Sequence, residues 1–118
     1  MKTHKDLIVW QKSLDFVTKI YQITKHYPTE EMYGLTNQLR RAAVSIPSNI
    51  AEGAARSSDK EFNQFLHISL GSLSELETQL LISRNLGFLN KEECATSIEN
   101  LTEIRKILLG LISSLNRK

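Results

Sequence analysis

Apolar residues recur along this chain at steps of three and four, the spacing that places them on one side of a helix. Leu7, Trp10, Leu14, Val17, Tyr21 and Thr24 make a first run. Pro28 ends it, because proline cannot continue the hydrogen-bond ladder. Thr29 is placed to cap a second helix, with Glu30 and Glu31 favoured by the dipole of its first turn. Met32, Leu35, Leu39, Ala43, Ile46, Ile50 and Ala54 form that helix's stripe. Ser58 and Glu61 then read as a capping box opening a third helix, with Phe62, Leu66, Ser69, Leu73, Leu76 and Leu80 inward. Gly87 reads as a left-handed C-cap, and Asn90 with Glu93 opens a fourth helix. Its stripe is Cys94, Ile98, Leu101, Ile104, Leu108, Leu111 and Leu115.

No stretch alternates with the period of two that a strand needs, and no repeat or low-complexity tract occurs. Four long helices on short turns predict an all-α fold. We expect an antiparallel up-down-up-down four-helix bundle, one domain over residues 1–118. The alternative is a helical hairpin that completes its core only in an oligomer.

The segment RRAAVSIPSNIAEG, residues 40–53, carries Pro47 inside the second helix. Leu39, Ala43, Ile46 and Ile50 keep their phase across it, so one proline-kinked helix is expected. An interior proline costs about 3 kcal/mol, and Ser45 is placed to satisfy part of the freed backbone. The alternative is a new helix capped by Ser45. Pro47→Ala is expected to leave the fold intact, straighten this helix and weaken assembly.

On a helical wheel the first helix is apolar over roughly 200° of arc, about twice the stripe a surface helix needs. The excess is aromatic and aliphatic, and such patches mark association surfaces. Val9, Trp10, Phe16, Ile20, Ile23 and Tyr27 are the candidate oligomer interface. Trp10→Glu is expected to dissociate the assembly.

Beside the second stripe lies a polar row, Gln38, Arg41, Ser45, Asn49, Glu52 and Arg56. Ser and Asn are poor choices for a merely solvated helix interior, so Gln38, Arg41, Ser45, Asn49 and Glu52 of this row, together with Glu77 of the third helix, are the candidate polar seam. Gly53, toward the apolar side, costs about 1 kcal/mol against alanine unless close backbone packing needs it. Glu77 projects into an apolar arc and requires a partner. Arg40 or Arg41 is the expected partner, with Arg84 the local alternative. Gly71 is placed to permit close helix approach.

Composition narrows the chemistry. The 118 residues are 41% hydrophobic and 24% charged, ordinary for a soluble globular chain. One cysteine, Cys94, excludes an internal disulfide and fits the cytoplasm; on its stripe it is a small core residue. No signal peptide or membrane span is read. The three histidines, His4, His26 and His67, make neither a Glu-x-x-His pair nor a zinc set, and no phosphate-binding glycine loop occurs. No metal, no cofactor and no catalysis are expected. The net charge of +2 is too small by itself to argue for nucleic acid.

YGLTNQLRRAAVSIPSNIAEGAARSSDKEFNQFL and GSLSELETQL, within a similarity running from DLIVWQKSLDF to RNLGFLN, resemble the 23S rRNA-intervening-sequence proteins. These are bacterial four-helix bundles, some encoded within large-subunit ribosomal RNA genes. A related bundle is the accessory variability determinant of diversity-generating retroelements. The resemblance implies a ring, a homopentamer being favoured. The accessory relative binds nucleic acid and a reverse transcriptase through a basic surface; most of the family has no established activity. Ser69 stands where members commonly carry alanine, with little consequence expected.

Five copies at +2 each would carry +10, which gives rings of Lys and Arg more weight. Arg40, Arg41, Arg56, Arg105, Lys106, Arg117 and Lys118 are therefore the candidate nucleic-acid-binding residues. The expected function is a self-assembling, non-enzymatic bundle that associates with RNA or DNA. The alternative is a structural or adaptor oligomer that binds a protein partner.

Overall fold

The structure, a computed structural model, describes residues 3–117. Four helices carry it: α1 (Ile8–Thr24), α2 (Leu35–Ala54), α3 (Asp59–Asn85) and α4 (Lys91–Asn116). Short 3-10 turns occur at His4–Asp6 and Thr29–Glu31, and no strand occurs among the described residues. The bundle measures 46 × 24 × 19 Å. α2 packs most extensively on α3, while α1 and α4 meet sparsely and the α2 and α4 backbones do not approach closely.

Local chemistry sets most helix ends where the spacing predicts. Ser58 Oγ accepts the Glu61 N–H at 3.2 Å and donates to Glu61 Oε1 at 3.3 Å. Asn90 Oδ1 accepts the Glu93 N–H at 2.7 Å. Gly87, at φ +81°, turns the chain after α3. Its N–H donates to the Arg84 carbonyl, and the Phe88 N–H donates to Ser83. That pair of bonds is a Schellman motif.

The start of the second helix differs from expectation. Thr29 opens only the 3-10 turn, and α2 begins at Leu35 after a pivot at Gly34. Glu31 supplies the cap, its Oε1 accepting the Leu35 N–H at 3.2 Å. Met32 thereby leaves the stripe and is exposed. From Leu35 the helix runs unbroken through Pro47 to Ala54, so Ser45 caps no new helix. Ser45 Oγ instead accepts from Asn49 Nδ2 at 2.9 Å and from Ser72 Oγ at 2.8 Å.

α2 and α3 are joined by small residues. Ser69, fully buried, donates to the Ile46 carbonyl at 2.9 Å, so its hydroxyl has a bonding role beyond its small size. A Cβ on Gly53 would lie 2.7 Å from Phe65 Cβ and 2.9 Å from Phe62 Cδ1. Contacts 53 to 62 and 65, 46 to 69 and 45 to 72 step in opposite directions along the two helices. Gly71 plays no such part: it is exposed, with nothing within 4 Å of a Cβ there.

The core is aliphatic. Ile20, Leu39, Ile50, Leu66, Leu76 and Leu101 are fully shielded. Val9, Phe16, Ile20, Ile23 and Tyr27 belong to this core. That corrects the reading of these five as an interface between copies: the chain's own helices cover them. Trp10 is half-buried against the same core.

Candidate functional site

Part of α1's apolar arc stays uncovered, at Leu14 and Tyr21, while Leu7, Trp10 and Val17 are partly buried against the core. Around the wheel, Phe16, Ile23, Val9, Tyr27 and Ile20 come first, and all are buried. Val17, Trp10, Tyr21, Leu14 and Leu7 complete the arc. Leu14 is 41% and Tyr21 40% exposed. The excess surface is thus real, but it lies on the half that sequence reasoning did not select, Trp10 excepted. Across from it α2 presents Val44, 40% exposed. Trp10, Leu14, Val17, Val44, Pro47 and Ala51, with Ser48 and His4, line a shallow apolar groove of about 270 Å³. The His4 ring stands edge-on to Trp10 at 4.9 Å.

Val44 also borders a second, open groove of about 600 Å³, which runs along the outer face of α2 with Tyr21 of α1 at its edge. Arg40 is fixed there by two contacts. Its Nε donates to Thr24 Oγ1 at 2.9 Å, and its guanidinium carbon lies 4.5 Å from the centroid of the Tyr21 ring. Thr24, buried, is itself held by a 2.7 Å bond from its hydroxyl to the Ile20 carbonyl. Arg41 is exposed, and no carboxylate lies within ion-pair distance of it among the described residues. Asn37, Ser45, Ser48 and Asn49 line the rest. Asn49 Nδ2 donates to the Ser45 carbonyl at 2.8 Å and to Ser45 Oγ. Its carboxamide oxygen is left as an acceptor. On its other flank Arg41 borders a groove of about 350 Å³ shared with Gln38, Ser45 and Glu75 of α3.

The polar seam is therefore partly assembled. Gln38, Arg41, Ser45 and Asn49 lie along α2 beside these grooves. Glu52 is engaged with Arg56 at 2.8 Å. Glu77 is not in the row: it pairs with Arg105 of α4 at 3.0 Å, replacing Arg40, Arg41 and Arg84 as its expected partner.

Nor do the seven candidate cations converge. Arg56 faces Glu52 and, at 3.9 Å, Glu61, and lies over the Phe65 ring. Arg105 is taken by Glu77. Lys106 and Arg117 are exposed on and just beyond α4, away from α2; Arg117 reaches Ser113 Oγ at 3.4 Å. Lys118 lies outside the described residues. Arg40 and Arg41 share a groove. Sequence spacing gave no sign of Tyr21 as Arg40's platform, since the contact joins two helices.

Among the described residues no three His, Cys, Asp or Glu side chains group as a metal site would, and no helix is long and apolar enough to cross a membrane. Cys94 is buried and in no disulfide. Burial pushes the Tyr27 phenol above its usual 10.0, with Ser83 acting the other way. The Tyr27 hydroxyl is buried without a hydrogen-bond partner, and the Ser83 hydroxyl donates to the Gln79 carbonyl at 2.8 Å.

Residues 5–110 match the family model described as 23S rRNA-intervening sequence protein. The fold is similar to a crystal structure from Bacteroides thetaiotaomicron, described as a protein of unknown function from the S23 ribosomal protein family. The TM-score is 0.82 at 28% identity, over 89% of this chain and 98% of that one. No protein of curated function matches the sequence.

Proposed function

This chain belongs to the 23S rRNA-intervening sequence protein family, and we propose that it is a non-catalytic, self-assembling helical bundle that associates with nucleic acid. Arg40 and Arg41 carry the reading. They are adjacent cations in an open groove, one of them held in place and the other without an acidic partner. Guanidinium groups so placed suit phosphate oxygens, which they meet in bidentate fashion. Assembly into a ring, five copies being the expected number, would multiply these groups and the chain's small positive charge. The strip of exposed Leu14 and Val44 with half-buried Trp10 and Val17 is the surface we assign to it.

The same strip supports the second reading, an adaptor whose partner is another protein. A binding titration with RNA and with DNA across a salt series separates the two. Phosphate contacts release counterions, so affinity should fall steeply as salt rises and should fall further in Arg41→Gln. Failure of both nucleic acids to bind at low salt would leave the adaptor.

A further inference from the structure

Resting on the assignment of the α1/α2 strip to assembly, we infer that His4 makes that assembly sensitive to acid: protonating its imidazole drives the copies apart. The apolar groove takes Trp10, Leu14 and Val17 from α1, and its α2 wall is aliphatic apart from Ser48. None of these side chains ionises near neutral pH. His4, from the 3-10 turn before α1, is the one lining residue that does. Local bonds set it there. The Leu7 N–H donates to the His4 carbonyl at 3.0 Å, and the Gln11 side chain donates to the Lys5 carbonyl at 2.7 Å, tying the turn to the start of α1. The His4 imidazole, half-buried, then meets the Trp10 ring edge-on at 4.9 Å.

The surrounding charges offer an imidazolium no support. The turn packs on α1 and α2. No carboxylate lies within ion-pair distance of His4 among the described side chains. Lys5, beside it, is exposed and of the same sign. On α2 Glu52 follows Ala51, but it is bound to Arg56 at 2.8 Å. On α1 Lys12 is turned to Glu103 of α4, and Asp15 borders that same α1/α4 side. In a free chain the protonated ring keeps water on its open side. In the assembled protein a neighbouring copy displaces that water, and the charge is left against apolar groups. The assembled form therefore binds the proton less readily than the free chain. Assembly is strongest where the imidazole is neutral and weakens as pH falls. Each tenfold loss of proton affinity on assembly weakens the contact about tenfold once the free chain is protonated.

The test is sedimentation equilibrium of the full chain at about pH 8 and about pH 5.5, the range over which imidazole changes charge, at one salt concentration with circular dichroism alongside. The parent should assemble at the higher pH and at least about tenfold more weakly at the lower, with its helix content unchanged. His4→Gln, neutral throughout, should assemble equally at both. His26, just beyond the far end of α1, borders the groove toward Glu93, and His67 is exposed on α3. His26→Gln should follow the parent, which separates His4 from the general rise in positive charge that acid brings. Equal assembly of the parent at both pH values, acid weakening that persists in His4→Gln or vanishes in His26→Gln, or loss of helix in the parent in acid would overturn the inference alone. A parent that sediments at 13.5 kDa at both pH values would overturn the assignment of the strip to assembly together with it.

Discussion

Replacing Gly53 by alanine should destabilise the bundle, although the same exchange ordinarily favours a helix. On propensity alone alanine gains about 1 kcal/mol over glycine in a helix interior. Against this stands the approach of α3. The new methyl would lie 2.7 Å from Phe65 Cβ, 2.9 Å from Phe62 Cδ1 and 3.3 Å from the Phe62 carbonyl oxygen. Phe65 Cβ is fixed to its backbone, and the Phe62 ring is buried, so neither can simply turn aside. Relief requires the two most extensively packed helices to move apart. Overpacking of this kind costs about 1–3 kcal/mol, and contact with a backbone-fixed atom places it near the top of that range. The net expectation is a loss of about 2 kcal/mol, or a fall in melting temperature of about 5–10 °C. Gly71→Ala is the control. It lies exposed within α3 with nothing near its Cβ, so it should gain up to about 1 kcal/mol. Urea denaturation of both variants at equal protein concentration reads the pair, since assembly makes stability concentration-dependent. A Gly53→Ala protein as stable as the parent would refute the close-approach argument, as would equal gains at both sites.

Three further outcomes are expected. Ser69→Ala removes a buried hydroxyl bonded to the Ile46 carbonyl, and should cost about 0.5–1.5 kcal/mol in denaturant titration; no change would show the hydroxyl to be incidental. Because burial raises the Tyr27 phenol above 10.0, the folded state retains a proton that the unfolded state releases, so stability is full below pH 10 and falls as pH rises beyond it. Tyr27→Phe should flatten that alkaline loss and, by removing a buried hydroxyl without a partner, leave neutral-pH stability equal or higher; an unaltered alkaline slope would contradict this. Glu77→Gln breaks a pair with about a third of each side chain exposed, so solvent screening should hold its cost to no more than about 1 kcal/mol, a cost that shrinks as salt is added.

What the sequence disclosed and what it concealed divide by range. The capping groups at Ser58 and Asn90 and the turn at Gly87 act within a few residues, so their letters suffice. The phase held across Pro47 likewise identified one continuous helix. Thr29 misled because its two following glutamates suit a helix start equally well, while Gly34 decides where α2 begins through backbone geometry. The wheel measured the width of α1's apolar arc. Which half the other helices cover is a tertiary fact, and it moved the candidate surface from Phe16, Ile20 and Ile23 to Leu14, Val17 and Tyr21. Long-range pairs were hidden for the same reason. Glu77 finds Arg105, and Arg40 finds Tyr21, through helix placement that spacing does not encode.

The α1/α2 face is the centre of this account, and the mass of the protein in solution tests it most directly. Sedimentation equilibrium at micromolar concentration should return a multiple of 13.5 kDa for the parent chain. Leu14→Glu and Val44→Glu, which place charge on the exposed strip without touching the core, should return 13.5 kDa while remaining helical. A parent chain that sediments at 13.5 kDa, or variants that keep the full assembled mass, would contradict the assignment of that strip to assembly.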